Sequence, residues 1–214
     1  MNKRALLVFA KAPIAGHAKT RLIPKLGSAG AANLHQKLVR HTLDTLSNSN
    51  YWDTLLWCAG DMEHNFFRHC SANYDLKLFS QQGDDLGQRM YNAAKFSLQN
   101  YDSICIVGTD CPMLKSENIS QAFDALKHID VAFNPAEDGG YILIATNSIE
   151  RNIFEGIQWG TSQVMTQSLG KAKQLNLNVK LLDTLWDVDI PEDLERPEMQ
   201  AFLTDISENT LKAR

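Results

Sequence analysis

The sharpest chemical signal in the chain is residues 103–112, SICIVGTDCP. An apolar run, Ile104 to Val107, closes in Gly108 and Thr109, and one acid, Asp110, stands ahead of Cys111 and Pro112. A short continuous apolar run ended by Gly and Pro is the pattern of a buried parallel strand. Open α/β sheets bind ligands just beyond the carboxyl ends of such strands, which would put Asp110 at a ligand-binding edge. Mg²⁺ takes oxygen ligands, commonly one or two protein carboxylates with substrate phosphates filling other positions. Asp110 is therefore either a metal ligand or the acid of a turn before Pro112. Cys111 is a poor alternative as a nucleophile, because no His lies near it in sequence to activate it.

Four other stretches carry groups of the right kind. In GHAKTRL, Gly16 frees the backbone to approach a ligand, while Lys19 and Arg21 supply a point charge and a planar fork for phosphate oxygens. The same residues also suit a solvated basic loop. In SQQGDDLGQRM, Gly83 and Gly87 bracket two acids at a helix start, where outward N–H groups could read a base or phosphate; Asp84 and Asp85 are equally ordinary helix-opening residues. In PAEDGGYIL, Gly139 and Gly140 permit close approach of a bulky ligand, and Glu137 or Asp138 could bind a sugar hydroxyl or act as a base, though a tight turn explains the glycines as well. In WDVDIPEDL, Asp187 and Asp189 lie two residues apart on one side of a strand end, and either could complete a metal site; alternatively Asp189 caps the helix that Pro191 opens.

These groups need a scaffold. The 214 residues suffice for one α/β domain with a sizeable core, and we read residues 1–214 as a single domain. With 21 basic and 25 acidic residues the net charge is −4, which argues against a general nucleic-acid or membrane-surface binder. The start, MNKRALLVFA, has an apolar run too short for a signal peptide, and no run approaches the ~20 residues of a membrane span. The four cysteines (Cys58, Cys70, Cys105, Cys111) lack CxxC spacing and fit reduced thiols, so a cytoplasmic protein is expected.

Apolar patterning places strands over residues 5–10, 54–59, 76–79, 104–107, 131–133, 141–145 and 179–182. Helices are expected from an N-cap at Ser28 to about Leu46, and over residues 62–70, 86–98 and 162–174. Another begins at Ser116, and a final one opens with Pro191 in its first turn. The two strands around PAEDGG suggest a hairpin-like or sheet-edge element after the parallel part.

Taken in order, FAKAPIAGHAKTRL, QGDDLGQRM, GTDCP, PAEDGGYIL, WGT and DVDIPEDL resemble the selenodomain-associated transferase 1 family of bacterial proteins, among the GT-A-like nucleotide-diphospho-sugar transferases. AKTRL, GTDCP and DGG look, more distantly, like the 2-phospho-lactate guanylyltransferases, and GTDCP like the molybdenum-cofactor guanylyltransferases. The resemblance implies a three-layer α/β/α fold around a mostly parallel mixed sheet. It implies phosphate binding at Gly16, Lys19 and Arg21, and Mg²⁺ (or Mn²⁺) at Asp110 with Asp189 or Asp187. It further implies nucleotide contacts at Ala10, Lys11 and Thr109, the base near Gln82, Gly83 and Gly87, and substrate near Glu137, Asp138, Gly139, Gly140 and Trp159. Two departures stand out. Gly108-Thr109-Asp110 replaces the DxD word of glycosyltransferases, and the first loop lacks the Gly-Gly pair of nucleotidyltransferases.

The expected activity is transfer of a nucleoside monophosphate from a nucleoside triphosphate to a small phosphorylated acceptor, with Lys19, Arg21, Asp110 and Asp138 in catalysis. An NDP-sugar glycosyltransferase is the second reading, and a non-catalytic nucleotide-binding module the third. Oligomeric state is left open.

Overall fold

The computed structural model describes residues 2–149 and 153–212. Among the described residues, seven strands form one sheet in the order β3-β2-β1-β4-β6-β5-β7. They are β1 (Arg4–Lys11), β2 (Asp53–Ala59), β3 (Lys77–Ser80), β4 (Ser103–Val107), β5 (Val131–Pro135), β6 (Tyr141–Thr146) and β7 (Val179–Leu181). β1 lies parallel to β2 and β4, β2 to β3, and β5 to β7, while β6 runs antiparallel to β4 and β5. The helices are α1 (Ile23–Leu46), α2 (Asn65–Tyr74), α3 (Leu86–Ser97), α4 (Ser116–Ala125), α5 (Val164–Gln174) and α6 (Pro197–Lys212).

Side-chain alternation along the strands explains the three layers. Leu6 and Val8 of β1 pack with Val39 and Leu43 of α1, Phe67 of α2 and Phe123 of α4 on one face. Ala5 and Leu7 face the other way, against Met90, Ala93 and Ala94 of α3. Both faces of β1 and β4 are covered, so these strands read as continuous apolar runs. A third cluster joins Leu22, Leu34 and Leu38 to Trp186, Val188, Met199 and Phe202, and it fastens the C-terminal segment to α1. Among the described residues, no helix is long and apolar enough to cross a membrane.

The hairpin pairing and the helix running from Ser28 to Leu46 are present with added detail, while the start of the last helix needs correcting. β6 pairs with β5 as a hairpin would, but it lies inside the sheet between β4 and β5, and β7 forms that edge. α1 begins at Ile23 with Pro24 in its first turn, and Gly27 (φ 69°, ψ 164°) breaks it just before Ser28. Pro191 opens a 3-10 turn, Pro191–Glu195, and the last helix starts instead at Pro197. A second proline so soon after the first favours this split, since the residue before it is pushed out of the helical region.

Candidate active site

The carboxyl ends of β1 and β4 bring the first loop and Asp110 together. After Lys11 the chain is tied to β2 by Ala12 N–H donating to the Ala59 carbonyl (3.0 Å). Gly16 adopts φ 83°, and Lys19 adopts φ 49°, ψ 47°, a left-handed conformation that costs a non-glycine residue about 1 kcal/mol. That turn, followed by the buried Leu22, drives the Lys19 side chain inward until it is only 4% exposed. Its ammonium lies 2.9 Å from Asp110 Oδ1 and donates to the carbonyl of Val188. The Lys11 ammonium donates to the His17 carbonyl (2.8 Å) across the loop.

The distal acids arrive by a backbone stitch. Val188 N–H donates to the Asp110 carbonyl (2.9 Å), and Glu137 N–H to the Leu185 carbonyl (2.9 Å), so residues 185–190 run between the Asp110 turn and the DGG turn. Trp186 and Val188 enter the α1 cluster, and alternation leaves Asp187 and Asp189 half-buried on the other side. Asp189 pairs with Arg21. Asp193, from the 3-10 turn, accepts from the N–H groups of Asp189 and Ile190 (both 2.9 Å) and fixes the approach of the segment.

Burial, then the neighbouring charges of Asp138 and Asp110, push the Asp187 carboxyl up to about 6. Because this folded value exceeds the unfolded one near 4, the folded chain binds the extra proton between pH 4 and 6, and stability falls as pH rises through that window. In the presence of EDTA, Asp187→Asn is expected to gain about 1–2 kcal/mol over wild type at pH 8 and little at pH 4, allowing for partial exposure. Urea unfolding at the two pH values checks this; an equal difference at both would contradict it. Burial likewise pushes the Cys111 thiol up to about 12, too high for a nucleophile.

A cavity of about 210 Å³ is lined by Lys11, His17, Lys19, Arg21, His35, Asp110 and Asp189. Lys19 and Arg21, expected on phosphates, are thus paired here with the two acids expected on a metal. Thr109 is buried at the turn, and Ala10 is buried at the end of β1. Among the described residues, no group of three or more His, Cys, Asp or Glu is arranged as a metal cage. Sequence reasoning missed His35 and Asp193. Asp193 carried a faint signal, an acid at the third position of the Pro191 turn, where it can reach back to backbone donors.

The Gln82–Gly83–Gly87 group does not line that cavity. Asp85, in its ordinary role, caps α3 by accepting from Gln88 N–H (2.7 Å). Arg89 holds the Gly83 carbonyl (3.0 Å) and Asn92 the Gln82 carbonyl (2.8 Å). Gly87 lines a separate cavity of about 340 Å³ along the first turns of α3, beside Tyr91 and Phe154. A Cβ on Gly87 would lie 2.6 Å from the Phe154 carbonyl oxygen and 2.8 Å from Trp159 Nε1, so packing explains this glycine. Gly87→Ala is expected to lose about 2–3 kcal/mol, read by thermal unfolding; an unchanged melting temperature would show that the 154–159 segment yields.

At the DGG turn, Asp138 Oδ1 accepts from Gly140 N–H (2.8 Å), while Glu137 is taken up by Arg196 (2.8 Å). Gly139, expected to let a ligand approach, is instead approached by the chain's own backbone at Ser162. Trp159 meets Tyr141 edge-on, with ring centres 6.3 Å apart.

Comparison with known proteins agrees with this architecture. The chain is 29% identical to a protein from Desulfovibrio desulfuricans G20 described as a nucleotide-diphospho-sugar transferase, whose structure superposes with a TM-score of 0.83 over 97% of this chain and 96% of that one. It is 25% identical over 183 residues to the 2-phospho-L-lactate guanylyltransferase of Methanothermobacter thermautotrophicus, covering 83% of this chain and 77% of that one. The inositol-1-phosphate CTP transferase of T. maritima shares the fold at 13% identity, with a TM-score of 0.62 over 97% of this chain and 98% of that one. The fold is that of the nucleotide-diphospho-sugar transferases, and the chain is a transferase. Residues 42–161 match the family described as an uncharacterized protein conserved in bacteria, DUF2064, and the chain belongs to that family.

Proposed function

We propose that the chain is a nucleotidyltransferase that moves a nucleoside monophosphate from a nucleoside triphosphate to a small phosphorylated acceptor, working as one unit across residues 1–214. The observation that carries this reading is the pairing of Lys19 with Asp110 and Arg21 with Asp189 at the sheet's carboxyl edge. Paired cations and carboxylates there suit a ligand that brings both phosphate and a divalent ion. The names of the sequence relatives combine guanylyl transfer with a phosphorylated acid, which fits the same reaction class.

An acceptor phosphate oxygen attacks the α-phosphorus, the bond from that phosphorus to the bridging oxygen breaks, and pyrophosphate leaves with the electron pair. The attacking phosphate is already ionised, so no general base has to remove a proton. Lys19 and Arg21 exchange their carboxylate partners for phosphate oxygens and stabilise the charge on the departing pyrophosphate. Asp110 Oδ1 is buried and makes no aligned hydrogen bond. With Asp187 beside it, it fits an ion of the Mg²⁺ or Mn²⁺ kind that arrives with phosphates, since such ions commonly need only one or two protein carboxylates. That ion would neutralise charge on the phosphate oxygens.

A second reading, glycosyl transfer from an NDP-sugar, is favoured by the likeness to the Desulfovibrio protein and by the position of Asp138 beside Asp187. Thermal shift separates the two. Nucleoside triphosphates with Mg²⁺ are expected to stabilise the chain by about 2.7 kcal/mol at a hundredfold excess over Kd. A larger stabilisation by UDP- or GDP-sugars with Mn²⁺ would favour the glycosyltransferase.

A further inference from the structure

His35 lines the Lys19–Asp110 cavity without a role in the reading above. It stands on α1, its side chain 7% exposed, with Nε2 2.9 Å from the Lys11 carbonyl oxygen. A carbonyl only accepts, so Nε2 carries the proton. With that proton on Nε2, the neutral tautomer presents its lone pair at Nδ1. Nδ1 is buried with no hydrogen-bond partner and lies 3.9 Å from Asp110 Oδ1, which is equally buried and also lacks an aligned donor. Two unsatisfied acceptors facing each other call for a cation between them or beside them. The Lys19 ammonium, 2.9 Å from Oδ1, supplies that charge in the ligand-free chain.

We propose that His35 Nδ1 and Asp110 Oδ1 form one cation slot. Lys19 serves it in the ligand-free chain, a divalent ion fills it once phosphates draw Lys19 away, and the imidazole tilts it towards Mn²⁺ over Mg²⁺. Mg²⁺ prefers oxygen ligands, whereas an imidazole nitrogen suits transition metals. The Lys11 carbonyl sets the tautomer from behind, as partners of metal-binding histidines generally do. The slot rests on the metal reading of Asp110, and it makes the order of events specific: phosphate must engage Lys19 before the ion can settle.

Pulsed electron paramagnetic resonance of the whole chain with Mn²⁺ and pyrophosphate tests this. The expected spectrum shows coupling to phosphorus and to an imidazole nitrogen. The nitrogen signal should persist in His17→Gln, the other cavity histidine, and vanish in His35→Gln. In parallel, the Mn²⁺-over-Mg²⁺ affinity ratio should fall about tenfold in His35→Gln. Phosphorus coupling without nitrogen coupling in the wild type overturns the role of His35, even if the His35 variant does not fold. Nitrogen coupling that survives in a folded His35→Gln overturns it as well. Failure to bind Mn²⁺ with pyrophosphate at all would remove the metal reading of Asp110 itself, and the slot with it.

Discussion

Asp110→Asn is expected to lower kcat/KM by about three orders of magnitude, ~4 kcal/mol of transition-state stabilisation. The substitution keeps the shape of the side chain and an oxygen facing the Lys19 ammonium, but removes the charge that an ion would meet. Lys19 also keeps the Val188 carbonyl, so the fold should lose only about 1–2 kcal/mol. The two readouts are independent: steady-state kinetics measures the first, and denaturant unfolding the second. A folded variant that keeps wild-type kcat/KM would take Asp110 out of the reaction.

The largest expected effect on stability lies at Gly139. Its φ of +89° disfavours any side chain, and an added Cβ would stand 2.2 Å from the Ser162 carbonyl oxygen. Retreat is blocked because Met165 N–H donates to the Gly139 carbonyl (2.8 Å), which ties the turn to the start of α5. Gly139→Ala should therefore cost about 3–5 kcal/mol. Gly16→Ala is the matched control. Gly16 has a similar φ of +83° but open space around its Cβ position, so about 1 kcal/mol is expected. Equal losses in the two variants would mean that backbone strain, not the contact with Ser162, dominates at Gly139.

Much of the scaffold was legible because it rests on local pattern. The apolar runs of β1 and β4 declared a buried parallel sheet, and GTD placed Asp110 at its carboxyl edge. Asp85 announced its helix. What stayed hidden depended on contacts far apart in sequence. The place of β6 between β4 and β5 is set by pairing across the sheet, and a hairpin pattern cannot say which of its strands lies inward. Gly139 of the DGG turn looks the same in sequence whether a ligand or Ser162 approaches it. Lys19 and Arg21 showed their charge but not their partners, which come 91 and 168 residues later at Asp110 and Asp189. His35 sits on an otherwise amphipathic helix, where a histidine on the inner face carries no motif. Only the Lys11 carbonyl behind it and Asp110 in front give it meaning.

The most direct test of nucleotidyl transfer follows both phosphorus products in one reaction. Each nucleoside triphosphate, with Mg²⁺ or Mn²⁺ and a panel of small phosphorylated acids that includes 2-phospho-L-lactate, would be followed by ³¹P NMR. Pyrophosphate and a new diphosphate-linked product are expected in equal amounts from wild type, with both lost in Asp110→Asn. A contradictory outcome would be no pyrophosphate from any triphosphate, together with nucleoside diphosphate released from an NDP-sugar.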